Sequence, residues 1–201
     1  MKNKKSLIKY LIEALLIVFS VLLALLLNEY RENLKQKKVI RKNLQSIEEE
    51  MRSNLSVINN WIPYHQQVLI NIERAIESDS IQNLLITDRG FDIFQIAPKG
   101  IFQNNMSQTA WNVGQGNGII SSLDYETVYL LSKTYDLQEN SVKRSIEEIL
   151  RELFSKEAIQ SSNVKETLIL LYTKFKILGE LEVSLKGSIE TSLKQLPGKS
   201  P

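Results

Sequence analysis

The sequence predicts an all-α protein: an N-terminal transmembrane helix that continues into a stalk, then an antiparallel bundle of three long helices with an irregular insertion. Three observations predict it. Residues 10–27 form an apolar run bordered by tyrosines, "YLIEALLIVFSVLLALLLNEY". Three later stretches carry apolar residues at steps of three and four, which is the period of a helix face. Only four prolines and eight glycines interrupt 201 residues, so long unbroken elements are expected.

The first element is the apolar run. Within 14–27 only Ser20 is polar. Leu7, Ile8, Tyr10, Leu11 and Ile12 extend it, with Lys9 and Glu13 near one end. At roughly 1.5 Å per residue, 7–27 covers about 30 Å, the thickness of a bilayer core. Lys9 can snorkel to the headgroups, and Tyr10 and Tyr30 stand where interfacial aromatics belong. A signal peptide would show small residues at −3 and −1 of a cleavage site, and "LLALLLNEYREN" offers no such pair. An uncleaved anchor is expected. Lys2, Lys4, Lys5 and Lys9 flank one side and Arg31, Lys35, Lys37, Lys38, Arg41 and Lys42 the other, a near balance of positive charge. The short tail is expected inside a bacterial inner membrane and the large domain on the periplasmic side.

Glu13, Ser20, Ala24 and Asn28 fall on one face of that helix, with Ile17 between them. Ser20 and Ala24 make a small-xxx-small pair that permits close helix approach. Glu13 has three readings: a carboxyl one turn inside the interface, an inter-helix polar contact fixing an oligomer or partner helix, or part of a proton or ion path.

After Tyr30 the chain continues as a stalk and first bundle helix over 28–80. Ile40, Leu44, Ile47, Met51, Leu55 and Ile58 form its stripe, which resumes through Leu69, Ile72 and Ile76 and stops at "ESDS". Pro63 is expected to kink it near Asn59. The insertion spans 81–121, with a short helix in "IQNLLI", short extended pieces around "RGFDIFQIAPKGIF" and another short helix at "MSQTAWNV". A helical hairpin over 122–196 completes the bundle. Its first stripe is Val128, Leu131, Tyr135, Val142, Ile146, Ile149 and Leu153, opened by "SSLD" as N-cap and broken by the polar Gln138. Its second is Val164, Leu168, Leu171, Phe175, Leu178, Leu185 and Ile189, capped by "SSN" and ended at Pro197. Residues 1–9 and 197–201 are tails. Antiparallel helices would place the insertion at the distal end.

The formal charge of +2 sets up no strong field toward nucleic acid, and none is expected as a partner. Without cysteine there are no disulfides or thiolate metal sites. A single histidine, His65, disfavours His-based metal sites and triads. It reads as a packing or surface residue beside Trp61 and Tyr64. "GQGNG" at 114–118 lacks a preceding strand and a following lysine, so it reads as a tight turn between helices rather than a phosphate loop. Glu48, Glu49 and Glu50, like Glu147 and Glu148, diverge by about 100° per residue on a helix and read as solvated faces. Trp111 reads as an anchor of the insertion on the bundle. The other reading puts it in a recognition surface or pocket with Phe91, Phe94 and Phe102. No nucleophile, base and orienter assemble, so neither an enzyme nor a cofactor is expected.

The order Glu13, Ser20, Ala24, Asn28, Tyr30, Glu32, followed later by "TAWNVGQGNGIISSLDYETVYLLSKTYD", resembles an uncharacterised, Bacteroidetes-type bacterial membrane-protein family of unknown function. Its pattern has glycine where Ser20 stands, tryptophan at Tyr30 and asparagine at Arg31. The resemblance implies an N-terminal single-pass anchor and no particular activity. The expected function is a membrane-anchored scaffold or interaction protein that binds the lipid bilayer and packs with its own copies or another membrane protein. The alternatives are a sensor or small-ligand module, and a pore-forming effector with Glu13 lining the pore.

Overall fold

The computed structural model describes residues 2–88, 90–101, 105–155, 158 and 163–196, with side chains from residue 10 onward. Helix α1 runs Lys2–Ile76 and takes Pro63 into its interior without a break in the helix. Proline removes one backbone donor; here the flanking turns remain helical. Two compact units divide the chain, Met1–Leu44 and Gln45–Pro201.

In the first unit every described apolar side chain from Tyr10 to Leu27 is exposed, for example Phe19 at 60% and Leu22 at 54%. This stretch belongs to a helix long and apolar enough to cross a membrane, and none of the stretch is buried.

The second unit holds the bundle. Its remaining elements are α2 (Asp79–Leu85), a two-residue antiparallel hairpin of β1 (Ile86–Thr87) and β2 (Gly90–Phe91), and a 3-10 turn at Ile93–Gln95. Then come α3 (Thr109–Gly116), α4 (Tyr125–Asp136), a π-helical stretch at Leu137–Lys143, α5 (Arg144–Leu153) and α6 (Val164–Gln195). Asp124 caps α4, as "SSLD" suggested, accepting from the Thr127 amide at 2.9 Å. Asn163 occupies the N-cap of α6, while Ser161, Ser162 and Pro197 lie outside the described residues. In the GQGNG stretch the glycines up to Gly116 continue α3, and the turn is confined to Asn117 and Gly118, whose φ of +67° favours glycine.

Most of the core comes from the stripes read from the sequence: Ile47, Met51, Ile58 and Ile72 from α1, Leu131 and Ile149 from α4 and α5, and Leu168, Leu171, Phe175, Leu178 and Leu185 from α6. On α1 the stripe needs correction: Ile40, Leu44, Leu55, Leu69 and Ile76 are only half-buried, while Trp61, Val68 and Ala75 are buried. Pairing shows the directions. Thr134 meets Ser188 and Ser192, while Glu148 meets Lys174, so α6 is antiparallel to α4–α5. His65 meets Glu182 and Glu73 meets Tyr172, so α6 is antiparallel to α1 as well. Glu50 meets Tyr135 and Asn54 meets Gln138, so α1 and α4–α5 run the same way. Two parallel helices need a long return connection, and the insertion supplies it. It therefore runs back alongside α1 instead of sitting at a distal tip.

Candidate functional site

The return segment is strapped to α1 by side chains. Asn71 donates to the Ile96 carbonyl at 2.8 Å. The Tyr64 hydroxyl donates to the Gly100 carbonyl at 2.6 Å and accepts the Lys99 amide at 3.1 Å. His65 Nε2 lies 2.6 Å from the Ile101 carbonyl. Asn54 and Glu50 take up the chain again at 107–111. As the strap number rises from 96 to 111, its partner on α1 falls from 71 to 50. At about 100° per residue, Glu50, Asn54, Tyr64, His65 and Asn71 share one face of α1. The irregular backbone thereby finds partners for groups that water would otherwise have to satisfy.

Ser107 is held at every polar atom. Its amide donates to Asn54 Oδ1 at 2.9 Å. Its carbonyl accepts from Asn54 Nδ2 at 2.6 Å and from Gln138 Nε2 at 3.1 Å. Its hydroxyl donates to Glu50 Oε2 at 2.7 Å. Gln138, read as a break in an apolar stripe, is buried on the π-helical stretch and accepts from Asn54 Nδ2 at 3.0 Å. A wide turn of this kind often marks a place where a helix serves something other than its own ladder; here it carries Gln138 and Val142 inward.

Glu50 is not on a solvated face. Its carboxylate accepts from the Ala110 amide at 3.0 Å and the Trp111 amide at 3.4 Å, and from the Tyr135 hydroxyl at 2.8 Å. These amides open α3, whose own N-cap, Gln108, makes no side-chain cap bond. A carboxylate from another helix thus does the capping, where a helix N-terminus favours negative charge. The Trp111 ring stacks on Tyr135, with centroids 5.2 Å apart and planes 14° apart, so Trp111 anchors the insertion to the bundle. Burial, then the Glu50 charge and its hydrogen bond, push the Tyr135 hydroxyl far above its ordinary pKa. Burial also raises Tyr64, against the opposing pull of the Lys99 amide.

His65 is a core residue with an ionisable partner. Its Nδ1 lies 2.6 Å from Glu182 Oε1, and the two side chains are 1% and 0% exposed. The Ile101 carbonyl only accepts, so Nε2 carries a proton. Phe175 meets the imidazole edge-on at 5.7 Å, and Trp61 lies 6.0 Å away. The second Glu182 oxygen, Oε2, is buried without a hydrogen-bond partner among the described residues. Burying a polar atom in this way costs free energy, so the pair is held in place by its surroundings.

The sequence-read surface residues separate. Phe91 and Phe94 line a groove of about 870 Å³ with Leu150, Leu153 and Phe154. Phe94 is 61% exposed. Trp111 is buried against Tyr135, away from that groove, and Phe102 lies outside the described residues. On the apolar helix, Glu13, Ser20, Ala24 and Asn28 are all exposed, and Ser20 Oγ donates to the Leu16 carbonyl at 2.7 Å. Among the described residues no group of three His, Asp or Glu side chains is placed to hold a metal ion.

The sequence does carry a signal for two of the buried polar residues. Leu178 to Leu185 and Tyr135 to Val142 are steps of seven in otherwise three-four stripes. The positions skipped are Glu182 and Gln138, and both are buried. Comparison of the chain with known protein families, curated proteins and solved structures gives no match.

Proposed function

We propose that this protein is a single-pass, membrane-anchored helical scaffold or interaction protein, self-associating or part of a membrane complex. The observation that carries the reading is the apolar stretch 10–27, helical throughout and with no protein packed over it. In water, that many exposed leucines would associate or aggregate; in a bilayer they are in their own medium. The face of Glu13, Ser20, Ala24 and Asn28 supports helix pairing within lipid, since Ser20 already satisfies its hydroxyl within its own helix and leaves a small surface. The proposed location is a bacterial inner membrane with the bundle on the periplasmic side. The resemblance to an uncharacterised family with an N-terminal anchor agrees with this reading.

Carbonate washing of vesicles tests the anchor: the full chain stays in the pellet, and its release would reject the reading. Protease added to intact spheroplasts degrades the bundle if it lies outside and spares it otherwise. Native mass spectrometry in mild detergent shows a mass above one chain that falls to one chain in Ala24→Leu; a single-chain mass for the natural sequence rejects self-association.

A second reading, a sensor or small-ligand module, is favoured by the groove of about 870 Å³ along Phe91, Phe94 and Phe154. A hydrophobic small molecule that raises the melting temperature, with the effect lost in Phe94→Ala, would establish it.

A further inference from the structure

Past the apolar segment, α1 changes character without changing conformation. Arg31, Lys35 and Lys38 are exposed. They stand at i, i+4 and i+7, so at about 100° per residue they fall within about 60° of one another. Among the described residues none of the three forms an ion pair. Their acidic neighbours Glu29 and Glu32 lie off the row, about 160° and 100° around the helix from Arg31. Lys42 falls in the same arc.

The spacing along the axis fits a bilayer surface. At 1.5 Å per residue, Arg31 lies about 6 Å beyond Leu27 and Lys38 about 16 Å beyond it. Each headgroup layer is roughly 5–8 Å deep. Arg31 therefore stands among the headgroups. Lys35 and Lys38 reach back to them with their long side chains, and a helix tilt of about 20° toward the row brings them nearer.

We propose that Arg31, Lys35 and Lys38 form a binding surface for the phosphates of anionic phospholipid headgroups, which draws those lipids to one side of α1 and sets the direction in which the helix leans. The inference rests on the membrane-anchor reading and adds the lipid chemistry to it. Phosphate is the complementary group because guanidinium and ammonium donors match its oxygens, and because a basic segment beside a span gains roughly fivefold in association per cation at an anionic surface. A merely solvated row would show no preference among lipids.

The chain has no cysteine, so Val39→Cys, beside the row, takes a single donor dye. The labelled full chain is placed in phosphatidylcholine vesicles containing phosphatidylglycerol, with the acceptor on one lipid or the other. Energy transfer to phosphatidylglycerol exceeds transfer to phosphatidylcholine by about threefold, and the excess shrinks as salt screens the surface. The triple change Arg31→Gln, Lys35→Gln, Lys38→Gln brings the ratio close to one, while Glu29→Gln leaves it in place. Inorganic phosphate at matched ionic strength does not abolish the preference; loss of the preference to phosphate would mark a general anion site and overturn the headgroup assignment. A ratio of one in vesicles that retain the chain after carbonate washing overturns the row and leaves the anchor standing. So does an excess that neither salt nor the triple change reduces. Release of the chain from neutral vesicles overturns the anchor and the row with it. Should the triple variant fail to insert, the salt response of the natural row still decides.

Discussion

Two stretches of α1 invert each other. Over 10–27 the leucines are outside and nothing covers them. Over 50–71 polar and ionisable side chains are inside: Asn54 is 2% exposed and His65 1%. The same helical backbone carries both, so secondary structure does not explain either. The difference teaches that burial follows the medium and the partner. The apolar run stays exposed because no other part of the described chain packs over it, and Asn54 and His65 go inside where they find hydrogen bonds.

The sharpest way to break the comparison is at its most buried polar point. His65→Ala leaves the Glu182 carboxylate enclosed without its partner and lowers stability by about 3–5 kcal/mol. Denaturant unfolding of the full chain in detergent measures this. Replacing both with His65→Leu and Glu182→Met recovers most of the loss, because an apolar pair of similar volume removes the desolvation cost; the Ile101 carbonyl is then the one group left wanting. If the single change were harmless, the buried pair would not hold the strap.

Glu50→Ala removes the acceptor for the Ser107 and Tyr135 hydroxyls and for the first amides of α3, and costs about 3 kcal/mol. The same unfolding measurement checks it, and hydrogen exchange of the Ala110 and Trp111 amides rises beyond the global change. Alkaline pH probes the same contact. In the unfolded chain Tyr135 loses its proton near its ordinary value of 10.0, while in the folded chain burial and Glu50 hold the proton on. Stability from this group is complete below pH 10 and falls as pH rises above it, at most about 1.4 kcal/mol per pH unit. Tyr64, also raised, adds in the same direction. Tyr135→Phe flattens the alkaline slope while keeping the stack on Trp111; an unchanged slope would deny the shift.

Asn54→Ala and Gln138→Ala, alone and together, give a coupling of about 1 kcal/mol in a double-mutant cycle, since they share the Ser107 carbonyl and bond each other. The smallest effect is expected on the exposed side of the same helix. Arg52 pairs with Glu48 at 2.8 Å but is 63% exposed. Arg52→Ala changes stability by no more than about 0.5 kcal/mol. A larger loss there would mean that Arg52 makes more than its exposed pair with Glu48.

Much of the fold was legible. The stripes supply most of the core, although on α1 Val68 and Ala75 are buried where Leu69 and Ile76 were read; the "ESDS" stop coincides with the end of α1 at Ile76, and Asp124 caps α4. The insertion's short helices fall where "IQNLLI" and "MSQTAWNV" placed them. The strap was not legible, for a physical reason. A buried asparagine and an exposed one have the same local pattern; only a partner distant in sequence distinguishes them. Glu50 looked solvated because adjacent carboxylates diverge on a helix, and that argument holds for Glu49, which is exposed. It fails for Glu50, whose donors come from residues sixty and eighty-five positions later. His65 looked like a packing or surface residue; it is buried, and its carboxylate partner lies 117 positions away.

What the sequence by itself determined is the set of elements: periodicity, caps and the scarcity of breakers act over a few residues, and an apolar run long enough for a bilayer is a local property as well. What only the tertiary structure decided is the direction of the helices and the course of the return segment. α1 and α4–α5 run parallel, so the chain between them must travel back along α1, and its irregular backbone must be satisfied there by Glu50, Asn54, Tyr64, His65 and Asn71. Local propensity carries no information about which of two helix directions buries a distant carboxylate beside a histidine; long-range hydrogen bonding and packing settle it.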